Sequence, residues 1–260
     1  METNIPGIKQ LRTLCQSSAP NPMRESTLGK FARKFSIYFT WLFLHTKISP
    51  NQITFSSVVV FFIGIGFFWN NVFEQNLIGC FLIFLSIVLD GADGEVARYR
   101  KTAGVTGTLY VEPVSHDVQY GLMFIVLSAG LVAQGYSWIY VLLGGVAGIT
   151  KLLYRLLEIR YWDMTHAQTI TVEKVEAMKK SYSEKPVLER LFYWLNKNFF
   201  SSTGVFVVIL ICTLAQRMDA YVWIYAVCYS GLWLLLFAKQ FYILFIKKQM
   251  TKPEHTVSVE

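Results

Sequence analysis

Acidic residues are concentrated in one short part of a chain that is otherwise poor in charge. Only 16% of its 260 residues are charged, yet five acids lie close together: Asp90, Asp93, Glu95, Glu112 and Asp117. Ionisable side chains beside long apolar segments are costly to desolvate, so they usually face a cavity, a partner or a metal ion. Carboxylate oxygens suit Mg²⁺ or Mn²⁺, and a neighbouring imidazole favours Mn²⁺ or Zn²⁺. The cluster therefore predicts a divalent-metal site.

The first acids follow a helical spacing. Asp90 and Asp93 are three residues apart, which places both carboxylates on one face of a helix, and Gly94 keeps the neighbouring surface low. Glu95 points to another part of the same helix, so we expect its side chain to be solvated. A single acid here could instead pair with Arg98 at the membrane boundary or cap a helix end. Two acids on one face, with more acids on the next helix, favour the metal site.

The second half of the cluster lies on a following helix. Glu112 and His116 are four residues apart and share a face, whereas Asp117 is displaced from Glu112 by about 140° on an ideal helix. Pro113 either kinks that helix or marks the place where it begins. An imidazole, with an ordinary pKa of about 6.5, suits the role of general base. His116 is therefore the first candidate for that role, and Asp117 is the alternative.

The composition indicates which kind of fold positions these residues. The chain is 53% hydrophobic, with a mean hydropathy of +0.40, whereas soluble domains are about 45–50% apolar and about 25% charged. This excludes an ordinary soluble enzyme and a disordered chain, and four scattered cysteines exclude a disulfide framework. We predict an all-α polytopic membrane protein, with a single domain over residues 1–250. Its six predicted transmembrane helices cover residues 53–69, 77–97, 109–133, 138–157, 203–215 and 220–246.

Shorter segments and basic residues complete the predicted layout. An N-terminal amphipathic helix in the membrane interface is expected over residues 26–47, and residues 187–195 show a similar pattern. Lysines and arginines concentrate in alternate loops and at both ends, which predicts that both termini and the acidic cluster face the cytoplasm of a cell or inner membrane. The net charge of +7 thus reports topology and not nucleic-acid binding. Residues 251–260 are expected to be a disordered cytoplasmic tail.

Part of the acidic cluster resembles a family motif. The membrane CDP-alcohol phosphotransferase family carries D-x2-D-G-x2-A-R-x8-9-G-x3-D-x3-D across its second and third spans. The first half is matched here without a substitution by Asp90, Asp93, Gly94, Ala97 and Arg98. The opening of the first span, residues 50–54, is also similar to the family.

The second half of the motif departs from the family pattern. Gly107 lies within the family's range for the glycine, but Glu112 then comes one position late. With Thr108 in the glycine position, Glu112 and His116 take the places of the last two aspartates. Glutamate keeps a carboxylate on a longer arm, whereas histidine replaces the group that serves as the general base in this family.

The resemblance implies an activity together with its cofactors and partners. Such enzymes transfer a substituted phosphate from a CDP-linked alcohol, for example CDP-diacylglycerol, to a hydroxyl acceptor and release CMP, in phospholipid or related lipid synthesis. They resemble one another in forming homodimers among membrane lipids and in holding two divalent ions, here Mg²⁺ or Mn²⁺. The implied metal ligands are Asp90, Asp93, Glu112 and His116. The implied nucleotide-binding residues are Asp90, Gly94, Ala97, Arg98, Gly107 and Thr108.

Two basic residues near the end of the fourth predicted span admit two interpretations. Lys151 and Arg155 are four residues apart, so they share a helix face. They either extend to lipid headgroups or bind an anionic acceptor, such as a phosphorylated polyol.

Two other functions stay open at this point. A relative that lost activity when the second half of the motif changed would keep the same layout. An ion or metal carrier would also place acids in membrane helices. Carrier sites, however, usually lie near the bilayer midplane on broken helices of paired repeats, whereas these acids lie at one edge of the spans. The donor lipid and the acceptor are not specified by these residues.

Overall fold

Helices make up most of the part of the chain that the structure describes. A computed structural model of the chain describes residues 5–16, 26–102, 107–165, 187–201 and 203–247, and these residues contain no β-strand. The predicted tail, residues 251–260, lies outside them. In chain order the helices are α1 (Ile8–Leu11), α2 (Thr27–Leu44), α3 (Pro50–Gly66), α4 (Phe73–Arg100), α5 (Glu112–Ala133), α6 (Ile139–Thr165), α7 (Val187–Leu195), α8 (Gly204–Leu214) and α9 (Met218–Phe241).

Long apolar helices confirm the predicted membrane fold. Within the described residues, five segments are long and apolar enough to cross a membrane. A bent pair of shorter helices raises the number to six if the pair counts as one span. The five are Pro50–Asn70, Phe73–Arg100, Glu112–Ala133, Ile139–Tyr161 and Met218–Phe245.

The fifth predicted span is the one that differs from a simple transmembrane helix. Its straight part, Gly204–Leu214, has 11 residues, which reach about 16 Å and not the roughly 30 Å of a hydrocarbon core. It follows Tyr193–Phe200 after a bend of 64°. The bend has a local cause, because the Ser201 hydroxyl accepts the backbone N–H of Gly204 at 3.0 Å and starts a new helix there. Any crossing at this point therefore uses both helices.

The N-terminal helix α2 has an unusual distribution of side chains. It begins at Thr27, where Ser26 accepts the N–H of Gly29 at 3.0 Å as an N-cap. Its outward face exposes large aromatic side chains, and its buried positions include two hydroxyl residues, Ser36 and Thr40. This outward apolar face agrees with a helix that lies in the membrane interface. The exposed aromatic residues are Phe31, Phe35, Tyr38 and Trp41.

The first span begins where the sequence predicts a break. Ser49 and Gln52 form a capping box at the start of α3, with Pro50 in the first turn. Proline is favoured at that position because its missing N–H would have no helical partner. The capping box fixes the start of α3 at the same edge of the helical bundle as the acidic cluster.

Close packing between α5 and α6 sets the spacing of the helices that carry the remaining site residues. A Cβ atom at Gly148 of α6 would collide with the carbonyl oxygen of Gly121 in α5. Small residues let helix backbones approach this closely in membranes. The helix α9 packs against both α5 and α6 and supplies the buried Tyr221, Tyr225 and Tyr229, whose rings contact Phe124 of α5.

Candidate active site

The end of α4 carries the first two acids of the site. Asp93 is buried, and the hydroxyl of Thr54 on α3 donates a hydrogen bond to its Oδ2. Asp90 lies one turn earlier and is half-buried. Because α4 is continuous from Phe73 to Arg100, both carboxylates lie on a rigid element, at the point where α3 begins.

His116 of α5 faces Asp90. Its Nε2 lies 3.1 Å from Oδ1 of Asp90, and their side chains are 20% and 26% exposed. With Asp90 ionised and the imidazole neutral, Nε2 carries the proton and donates it to the carboxylate, and Nδ1 is the basic nitrogen. The ring of Tyr120, one turn further along α5, lies edge-to-face with the imidazole at 6.1 Å. The pair therefore holds an oriented imidazole beside the acids of α4.

Asp117 points away from this pair. Its Oδ1 accepts Nε of Arg155 on α6 at 2.9 Å. The helix α5 begins at Glu112, so Pro113 lies in its first turn, a position that proline favours. The rotation of Asp117 toward the acids of α4, which the alternative role as base requires, is thus not the arrangement found. The roles of both residues stay predictions.

Three carboxylates share the region around His116. Asp93 lies within electrostatic range of Asp90 and Glu112, and Glu112 lies within range of Asp90 and His116. An all-oxygen set of this kind matches the ligands preferred by Mg²⁺ and Mn²⁺. In the part of the chain that the structure describes, no three acidic, histidine or cysteine side chains already converge as metal ligands do. The chemistry of the donors fits a divalent cation, but their side chains would have to turn toward it.

The remaining residues of the first half of the motif lie on the last turns of α4. The Arg98 guanidinium lies across Gly94, where a Cβ atom would be 3.2 Å from its Nη1. Its Nε donates to the carbonyl oxygen of Cys15 at 2.7 Å. Ala97, which lies between Gly94 and Arg98 in the sequence, is half-buried. The predicted nucleotide-binding residues of α4 therefore lie beside the N-terminal segment.

Gly107 and Thr108 open the π-helical turn Gly107–Val111 that leads into α5. A Cβ atom at Gly107 would lie 3.7 Å from Oδ1 of Asn51. The turn thus passes close to the start of α3, at the same edge as Asp93.

The two predicted acceptor-binding residues have partners inside the protein. Lys151 donates from Nζ to the hydroxyl of Tyr229 at 3.1 Å and lies 5.2 Å and 4.9 Å from the ring centres of Tyr120 and Tyr229. Arg155 is paired with Asp117. Lys151 thus contacts α5 at Tyr120, one turn beyond the histidine, and Arg155 contacts α5 at Asp117, the residue directly after it.

The expectation for Glu95 was wrong. Its side chain is 0% exposed, and both carboxyl oxygens accept hydrogen bonds. Oε1 accepts Gln16 Nε2 at 2.8 Å and the Ser36 hydroxyl at 2.7 Å, and Oε2 accepts the Thr40 hydroxyl at 2.7 Å. The position on α4 alone could not indicate this, because the covering surface comes from α2 and the N-terminal segment. The available signal was Ser36 and Thr40, four residues apart among aromatic side chains.

A helical membrane bundle with a cluster of acids at one edge is the class that this fold and site define. The sequence model of the CDP-alcohol phosphatidyltransferase family matches residues 47–237, most of the chain. The chain belongs to that family, as the motif resemblance predicted. A comparison with curated protein sequences found no significant match. The family transfers phosphate from a CDP-alcohol to an acceptor and is generally dependent on a divalent metal.

Proposed function

We propose that this protein transfers a substituted phosphate from a CDP-linked lipid alcohol, of the CDP-diacylglycerol kind, to a hydroxyl acceptor and releases CMP, in phospholipid or related lipid synthesis. The observation that carries the proposal is the contact between His116 and Asp90, within the region that matches the family. In this proposal His116 is the base, and it takes the position where the family motif has its last aspartate.

The reaction needs one bond to form and one to break. The acceptor oxygen attacks the phosphorus atom that carries the lipid alcohol, and the bond from that phosphorus to the bridging oxygen of CMP breaks. His116 takes the hydroxyl proton on Nδ1, and Asp90 stabilises the resulting imidazolium through Nε2. CMP leaves with the bridging oxygen and its electron pair. The product is a phosphodiester between the lipid alcohol and the acceptor.

The carboxylates are proposed to hold Mg²⁺ or Mn²⁺. Asp90, Asp93 and Glu112 would supply the oxygen ligands, with His116 as a further ligand in place of its role as base. The bound cation neutralises charge on the phosphates, which is the main requirement of phosphoryl transfer. The Thr54 hydroxyl keeps Asp93 oriented toward the start of α3.

The remaining residues are proposed to bind the two substrates. Arg98 and the low surface of Gly94 and Ala97 would receive the CDP group, together with the turn at 107–108. Lys151 and Arg155 would bind an anionic acceptor, such as a phosphorylated polyol. We further propose a homodimer in the membrane, with both termini and the site on the cytoplasmic side. The basic loops support this orientation.

The test is release of CMP by purified protein in detergent or liposomes. CDP-diacylglycerol and CDP-linked head groups are offered with serine, glycerol phosphate or inositol phosphate, in Mg²⁺ or Mn²⁺ and in excess chelator. We expect CMP only with a matching acceptor and a metal, and loss of activity in Asp93→Asn. Asp219→Asn is the matched control, since this carboxylate pairs with Arg217 away from the cluster. Folded protein that releases no CMP from any pair would indicate the inactive relative or the carrier and refute the proposal.

A further inference from the structure

The N-terminal segment, residues 5–16, lies against the motif helix and not free of the bundle. Leu11 and Cys15 are both 0% exposed and pack with Ile37 of α2 in a small apolar cluster. Tyr99 of α4 packs against the same cluster. We call residues 5–16 the N-terminal arm.

Two hydrogen bonds connect this arm directly to the motif part of α4. Gln16 donates from Nε2 to Glu95 Oε1 at 2.8 Å, and the backbone carbonyl of Cys15 accepts Nε of Arg98 at 2.7 Å. Glu95 and Arg98 are three residues apart on α4, so the two contacts are one helical turn apart. The arm therefore contacts α4 at Arg98, a residue of the matched motif, and at Glu95, one turn away.

Glu95 is the point where three elements meet. Its carboxyl group accepts from the arm through Gln16 and from α2 through Ser36 and Thr40. A buried carboxyl group left without donors is strongly destabilising, so this arrangement fixes the arm and α2 relative to α4. Residues 5–44 lie outside the family match, which begins at residue 47. The contact therefore joins the matched region to a part of the chain that precedes it.

We infer that Glu95 is a positioning residue that fastens the N-terminal arm to α4, and that the arm thereby holds Arg98 in the orientation that binds the CDP group of the donor. The inference rests on the proposed function. Arg98 has a long, flexible side chain, and holding it in one orientation lowers the entropic cost of binding the donor. Loosening the arm should therefore weaken donor binding and leave the chemical step nearly unchanged.

The test compares Gln16→Ala with Gln10→Ala. Both change a glutamine of the arm to alanine, but Gln10 is exposed and Gln16 donates to Glu95. Glu95→Gln is the second variant, which keeps the size of the side chain. Gln16→Ala also removes the bond from Nε2 to the backbone carbonyl of Arg33 on α2 at 2.9 Å. We expect Gln16→Ala and Glu95→Gln to raise KM for the CDP-alcohol roughly threefold to tenfold, the effect of weakened hydrogen bonding at Glu95. We expect kcat to change less than about twofold, and Gln10→Ala to match the wild type.

A second measurement, the labelling rate of Cys15, reports whether the arm is docked on α4 and does not depend on enzyme activity. Burial raises the pKa of the Cys15 thiol, and alkylation needs an accessible thiolate, so Cys15 in the docked arm should react slowly with a maleimide. Mass spectrometry of the Cys15 peptide should show faster labelling in Gln16→Ala and Glu95→Gln than in Gln10→Ala. Binding of CDP alone should weaken by the same factor as KM.

The outcomes separate the inference from the proposed function. Wild-type protein that releases no CMP refutes the function, while CDP binding and Cys15 labelling still test the role of the arm. Faster labelling with unchanged CDP affinity would show that the arm is merely structural. Variants with higher kcat/KM would show that the arm blocks the site. Either result, or equal labelling in all variants, overturns the inference.

Discussion

The imidazole Nε2 of His116 lies 3.1 Å from Oδ1 of Asp90, so one contact joins the matched first half of the motif on α4 to its variant second half on α5. The next residue along α5, Asp117, is directed to Arg155 on the other side. Two neighbours in sequence thus have different partners, since successive helical positions differ by about 100°. We therefore expect different roles for the two residues, which substitutions can distinguish.

The side chain at position 116 should set the acidic limb of the pH–rate profile. In the wild type, activity should fall as the imidazole is protonated, because a protonated ring cannot accept the hydroxyl proton. His116→Asp restores the residue type of the family motif and should keep measurable turnover. Its acidic limb should lie roughly one pH unit or more below that of the wild type, since carboxyl groups titrate lower than imidazoles. An acidic limb at the same pH in both proteins would show that another group controls it.

The ion pair between Asp117 and Arg155 should have a modest structural role. The two side chains are 34% and 31% exposed, and pairs with this much exposure contribute about 0.2–1 kcal/mol. Asp117→Asn, Arg155→Gln and the double variant form a double-mutant cycle measured by thermal unfolding in detergent. We expect a coupling energy in that range. A coupling of zero would mean that the pair does not hold α5 to α6.

Glycine 148 should be necessary for the approach of α6 to α5. Gly148→Ala places a methyl group against the carbonyl oxygen of Gly121 and should destabilise the protein by about 1–3 kcal/mol. Gly145→Ala is the control in the same helix, because no atom from a neighbouring described element lies within 4 Å of its added Cβ. Thermal unfolding should give a lower midpoint for Gly148→Ala only. Equal midpoints would contradict the close helix contact.

The orientation in the membrane can be tested at the two ends of α5. Ser137 and Thr102 are both exposed, one after and one before this helix. Basic residues predict that Ser137 lies outside and Thr102 in the cytoplasm. A membrane-impermeant maleimide applied to intact cells should label Ser137→Cys but not Thr102→Cys, measured against the wild-type background. Labelling of Thr102→Cys but not of Ser137→Cys would place the acidic cluster on the outer side of the membrane, where CDP-linked substrates are absent. That result would contradict the predicted orientation.

Much of the fold could be predicted because its determinants are local. Apolar length identified the spans, and the break at residues 49–51 follows from a serine, a proline and the capping box with Gln52. The fifth span was the difficult case. Its bend depends on the hydrogen bond between Ser201 and Gly204, which hydropathy does not reveal.

The site could be predicted only in part, for a related reason. Helical spacing separated His116 from Asp117 and grouped Asp90 with Asp93, because those relations lie within single helices. The residues of other helices that contact these side chains could not be predicted from helical spacing. Glu95 was expected to be solvated, yet α2 and the N-terminal arm cover it. Tertiary contacts of this kind have no signature within one helix.

The most direct test of the central claim compares turnover of His116→Ala with that of Asp117→Asn. Both variants are assayed for CMP release at saturating CDP-alcohol and acceptor, after both are shown to be folded. With His116 as the base, its removal should lower kcat by roughly 10²–10⁴-fold with little change in donor binding. Asp117→Asn should stay within about threefold of the wild type, the effect of a partly exposed ion pair. An inactive Asp117→Asn beside a His116→Ala variant of normal turnover would contradict the account and make Asp117 the base.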